Sequence, residues 1–297
     1  MMQDQALVPA TTPHVYRSSF LTRASRVLGR VGSHLILLAG AAVFSIPFIW
    51  MLSTSMKTDR QIFAWPPIWI PNPLVWANYP AVFDYAPMHK YFLNTMVIAT
   101  AQVFGAIVTC SLAAYAFSRV RAPGRDAIFT VMISQMMIPG VVTLVPLYIL
   151  FARLDWIDTF LPLTVPAMLG SPFYIFMLRQ FFLTLPMELE EAALIDGASR
   201  LRVWWTIILP LSKPAIATVA IFAFMFAWND FTGPLIFLNG RDKFTLSLGL
   251  QAFMFERRTL WSLLMAASTM MILPIMVVFF LAQKYFIQGI ALTGLKA

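Results

Sequence analysis

Asp230 is the clearest charged residue inside a long apolar run, at residues 214–238. A carboxylate at membrane depth costs roughly 2.5–3.5 kcal/mol on insertion scales, which makes it a functional candidate by default. Asn229 adjoins it, Trp228 and Phe231 flank the pair, and Pro234 follows one turn later. Such a group can line or gate a polar path. Trp228 and Phe231 can stack on a ring-shaped solute, although facing lipid or packing is the commoner role for such rings. The carboxylate can equally hold two helices together by a hydrogen bond. Asn94 and Gln135 present the same two readings in other apolar runs, as do Thr95, Gln102, Ser134, Thr143 and Ser171. Covalent chemistry finds no footing. The chain has no GxxxxGK[ST] phosphate loop, no HExxH and no GxSxG. His14, His34 and His89 all fall outside the middles of the runs, and the single cysteine, Cys110, reads as a small buried apolar residue.

The densest local chemistry lies at residues 184–214, TLPMELEEAALIDGASRLRVWWTIILPLSKP. Pro186 suits a first helical position, where a missing N–H costs nothing. Glu188, Glu190 and Glu191 place negative charge at the positive end of a helix dipole. Gly197 can take the left-handed conformation that ends a helix, and Ser199 can cap the next one. Leu201, Trp204, Trp205 and Ile208 recur at spacings of three and four and predict one apolar face. The expected form is helix, glycine turn, helix. Ala192 and Ala193 keep the first helix thin, which suits a helix that enters a groove on a second protein. An interfacial loop without a partner is the plainer reading.

The elements that position these residues follow from composition. Of 297 residues, 60% are hydrophobic and 11% charged, against about 25% charged in soluble domains. Lipid is therefore the expected solvent. The net charge of +8 does not indicate nucleic acid, because the basic residues are scattered between apolar runs. A spanning helix needs roughly 20 apolar residues. Six runs qualify: 33–52, 91–117, 127–151, 160–181, 214–238 and 262–284. The first exceeds a signal-peptide core and is expected to stay uncleaved. Prolines within the runs predict kinks. With the N-terminus inside, 13 of the 21 Lys and Arg fall on the inner side and 8 on the outer, which favours cytoplasmic N- and C-termini. The resulting division is a cytoplasmic tail at 1–32, a first span at 33–52, an outer loop at 53–90, a five-helix core at 91–284 and a cytoplasmic tail at 285–297. The outer loop holds Trp65, Trp69, Trp76, Tyr79 and several prolines, and is expected to be ordered by ring packing. It reads as an aromatic belt or as a platform for an external partner.

Glu191-Ala192-Ala193, then Gly197, then Ile207 and Leu209-Pro210 fill every position of a spacing that resembles the EAA loop of bacterial ABC importer permeases. Ile195-Asp196-Gly197-Ala198-Ser199, Trp228-Asn229-Asp230-Phe231 and the stretch from Gln283 to Gly289 resemble the carbohydrate branch of that family. The resemblance covers residues 57–295. It implies an all-α integral membrane fold of the six-helix type I importer class, with 184–212 as a cytoplasmic coupling loop. It implies a heterodimer with a second homologous permease, similar to the smaller partner in maltose-type importers. It further implies two ABC ATPase chains that use ATP and Mg, and an extracytoplasmic solute-binding protein that delivers a sugar or oligosaccharide. This chain would then bind no cofactor and catalyse nothing. It would sit among lipid in a bacterial inner membrane as a multi-pass protein, contacting no nucleic acid. A non-sugar solute such as glycerol phosphate is the alternative. An ion-coupled secondary transporter would be expected to show an internal repeat, and none is evident.

Overall fold

The computed structural model describes residues 20–254 and 259–294, with side chains described over 29–254 and 259–283. His14, Arg17, Arg257, Arg258 and Lys296 lie outside the described residues, as do the side chains of Arg23, Arg26 and Lys284 to Gly289. Every regular element among the described residues is helical. The chain forms two compact units, Met1–Trp50 and Met51–Ala297.

The first unit carries most of helix α1, Phe20–Ser55, of which Gly29–Ser55 is long and apolar enough to cross a membrane. Its large side chains, including Ile36, Leu37 and Phe44, are exposed. In a membrane their neighbour is hydrocarbon, so exposure carries no hydrophobic penalty.

In the second unit, three stretches meet the length and apolarity of a span: Met88–Arg119, Leu161–Phe182, which is interrupted at Gly170–Ser171, and Trp261–Gln283. Two further spans are broken. The run expected as one helix at 127–151 is two, Arg125–Met137 and Gly140–Arg153, meeting at 98°. Pro139 has no amide proton and forces Ile138 out of the helical region to ψ 116°. The fifth expected span, 214–238, runs as Lys213–Asn229 and Thr232–Phe237, with Asp230 and Phe231 non-helical between them. The second bent pair is Lys213–Asn229 with the preceding Arg200–Leu211, at 84°, and counting each bent pair as one span gives up to six among the described residues.

Hydrophobic packing divides this unit into an end that holds residues 184–212 and the opposite end. Around the first end Tyr115, Leu178, Phe182, Val203, Trp204 and Ile208 share a core. Towards the other, Val82, Tyr91, Trp228 and Ala267 form one cluster, and Ile98, Phe151, Leu163 and Phe237 another. The segment 53–90 is held by hydrogen bonds as well as by packing. Asn78 Nδ2 donates to the carbonyls of Ser55 and Lys57 at 2.8 and 3.1 Å, and Ser55 Oγ meets Tyr79 Oη at 2.9 Å. Trp76 stacks on Tyr79, whereas Trp65 and Trp69 stand exposed.

Candidate functional site

Residues 184–212 fold as two helices about a glycine turn. The first is Glu188–Ile195. Pro186 lies two residues ahead of it, not at its first position, and Met187 is the N-cap. Gly197 has φ +85°. Its N–H donates to Leu194 O at 3.1 Å, and Ala198 N–H donates to Ala193 O at 2.9 Å. This pair of bonds is a Schellman motif, in which glycine removes the clash that a Cβ would suffer. Ser199 then caps the next helix by accepting Arg202 N–H at 3.3 Å. From Trp204 to Ile208 the backbone widens to a π-helix. The predicted apolar face is consequently divided. Trp204 and Ile208 turn inward beside Val203, while Leu201 and Trp205 stay exposed.

One buried charge cluster anchors the turn. Arg119 ends the second span, and its side chain is 1% exposed. Its guanidinium donates to the carbonyls of Phe182 and Leu185, the latter at 2.7 Å, and contacts Met187 Sδ. Glu190, 3% exposed, lies 4.0 Å from Arg119 Nε. Tyr115 Oη donates to Glu190 Oε1 at 2.8 Å, and Arg200 of the second helix stands 3.7 Å from the same oxygen. These residues escaped the sequence reading, which took Arg119 as a topology charge and Glu190 as a dipole partner. The available signal was spacing. Tyr115 and Arg119 are one turn apart, and Glu190 shares a stripe with Ala193 and Leu194, which pack on the core.

What remains of the segment faces outward. Glu191, Ala192, Asp196 and Gly197 are exposed, next to the exposed apolar side chains of Leu189 and Ile195. Ala193, Ile207 and Leu209 are half-buried and Pro210 is exposed. An acidic rim thus surrounds apolar side chains on a helix whose other face is fixed.

The second group of candidates is scattered. Trp228 is wholly buried, stacked on Phe224 and edge-on to Phe92, with Nε1 donating to Met271 O. It packs the core and presents no face to a solute. Asp230 caps the short helix behind it by accepting Gly233 N–H at 3.0 Å, and its carbonyl accepts Ser247 Oγ. Asn229 is exposed, its side chain returned to Met225 O. Asn94 Nδ2 donates to Asp242 O and Phe244 O at 2.9 and 3.0 Å, fixing the loop after the fifth span. Gln135 is exposed beside the break at Pro139. The same loop is clamped by Asp158, whose carboxylate accepts the N–H groups of Gly240 and Asn239 and the Lys243 ammonium at 2.7 Å. Among the described residues, no group of three or more His, Cys, Asp or Glu could hold a metal ion.

Comparison with known proteins identifies the family and the fold. The family described as binding-protein-dependent transport system inner membrane component matches residues 105–292. The inner membrane ABC transporter permease protein YcjP of Escherichia coli is 32% identical, over 91% of this chain and 98% of its own length. The sn-glycerol-3-phosphate transport system permease protein UgpE of Yersinia pestis is 32% identical, over 86% and 94%. The sulfoquinovosyl glycerol transport system permease protein SmoH of Agrobacterium fabrum is 31% identical, over 97% and 98%. A crystal structure of a bacterial ABC transporter involved in the import of the acidic polysaccharide alginate contains a chain with the same fold, at TM-score 0.78 and 22% identity. The match covers 91% of this chain and 100% of that one.

Proposed function

This chain belongs to the family of binding-protein-dependent transport system inner membrane components, and on that premise we propose how its parts serve import. It is a multi-pass membrane protein and a transport subunit of an ABC importer. The exposed side of Glu188–Ile195 docks into an ATPase chain that binds ATP and Mg, and two such chains serve the complex. The chain pairs with a second, homologous permease. A solute-binding protein meets the face that carries the Asp158 clamp and the outer loop. Both termini lie in the cytoplasm, in keeping with the excess of Lys and Arg on that side. The solute is a sugar or sugar derivative. The names of SmoH and the alginate transporter support that class, and UgpE keeps glycerol phosphate as the alternative. Glu191, Ala192, Asp196 and Gly197 form the docking contact. Asp230, Asn229, Gln135 and Asn94 shape the path or its walls.

The observation that carries this reading is a helix with one face locked by Arg119 and the other left open. The native thiol, Cys110, is fully buried. A cysteine at Ala192 should therefore be the one that a bifunctional thiol reagent finds, and it should capture a nucleotide-hydrolysing chain from the purified complex. Proteoliposomes should hydrolyse ATP faster when binding protein and sugar are added. A complex that purifies without an ATPase chain overturns the proposal.

A further inference from the structure

Three pieces of the molecule converge on one guanidinium. Arg119 is the last residue of the second span, Phe182 and Leu185 are at the end of the fourth, and Met187 with Glu190 opens the docking helix. Burying charge in this way is a poor route to stability, since apolar replacements of buried ion pairs are often neutral or better. What the arrangement does provide is geometry. A guanidinium offers a rigid fork of donors, and this one spends it on two carbonyls while its charge faces Glu190. Glu190 in turn reaches Tyr115 on the second span and Arg200 across the glycine turn. Both helices of the segment are thus tied to the same root, and a shared core of Tyr115, Leu178, Phe182, Val203 and Ile208 packs beneath them.

Both spans held by Arg119 lose regularity at one level. The second span has a π-helical turn at Ala106–Cys110. The fourth breaks at Gly170, φ +116°, followed by extended Ser171. The two irregular points touch, with Ser171 N–H donating to Cys110 Sγ at 3.3 Å. Bulges and breaks of this kind are where helices bend.

We propose that Arg119 is the positioning residue that joins the Glu188–Ile195 helix to the adjoining halves of the second and fourth spans, so that all three move as one body that hinges at the Cys110–Ser171 level. This rests on the docking role proposed above. It adds which groups carry the movement onward.

The test uses the whole importer in lipid. Spin labels at Glu188→Cys and Ala116→Cys, both exposed positions, report the distance between docking helix and span without nucleotide and with a non-hydrolysable ATP analogue. The expected distance is the same in both states. With Arg119→Ala added, it should become broad or nucleotide-dependent, and solute moved per ATP should fall about tenfold. Arg119→Lys keeps the charge but loses the fork, and should fall between the two. A merely structural role would lower uptake and hydrolysis together and leave their ratio unchanged, which overturns the proposal. A nucleotide-dependent distance in the complex that retains Arg119 also overturns it, and decides the matter even if Arg119→Ala fails to assemble. Absence of ATP-driven uptake in the unlabelled native complex would instead overturn the importer reading.

Discussion

Gly105 and Met168 meet backbone to backbone. A Cβ built on Gly105 would fall 2.5 Å from Met168 Cα and 2.7 Å from its Cγ. Small residues allow this approach between membrane helices, where van der Waals packing and not hydrophobicity drives association. Gly105→Ala should therefore destabilise the protein by about 1–3 kcal/mol through overpacking. The thermal unfolding midpoint of the detergent-solubilised complex checks it, and an unchanged midpoint would show that the contact yields.

Gly197 sets a different kind of demand. Nothing lies within 4 Å of a Cβ placed there, so the cost of a side chain is conformational and not steric within this chain. Left-handed backbone costs an ordinary residue about 1–2 kcal/mol, and asparagine tolerates it best. Substrate-stimulated ATP hydrolysis should survive Gly197→Asn better than Gly197→Val, with membrane insertion intact in both. Full stimulation in Gly197→Val would remove the turn from the coupling mechanism.

The Asp158 clamp should answer to acid. The Gly240 N–H, the Lys243 ammonium and the Asn239 N–H hold its carboxyl down to about 2, against about 4 for a free aspartate. A depressed folded-state value means that its contribution is complete above about pH 4 and is lost as pH falls through about 2. Hydrogen exchange at the amides of Asn239 and Gly240, corrected for intrinsic rate, should lose protection over that window. In Asp158→Asn, protection should be lower and flat across it. A native profile that is also flat would show that the clamp does not hold this loop.

Much of the fold was legible because membrane spans and turns are written locally. Apolar runs gave the spans, and Gly197 and Ser199 announced the helix–turn–helix through backbone and capping preferences alone. The rest depended on which distant surfaces meet. Arg119 and Glu190 are 71 positions apart, and no period links them. The division between Trp204 and Trp205 depends on a π-turn that spacing rules for an α-helix do not contain. For Trp228 the sequence left a packing role and a solute contact both open, and the ring is held by Phe224, Phe92 and Met271. Pro139 was legible as a kink, but a right-angle turn was not, since proline alone does not fix how far a chain bends.

That right angle limits what can surround it. The helices on either side have 13 and 14 residues, about 20 Å each, and neither alone crosses a hydrocarbon layer of about 30 Å. A helix that begins at Gly140 presents amide protons with no acceptor in its own first turn. Acyl chains offer none. Non-helical backbone at that depth persists only against protein or hydrated space. Where this break lies within the hydrocarbon layer, protein or hydrated space, and not lipid, must flank Ile138 to Val141.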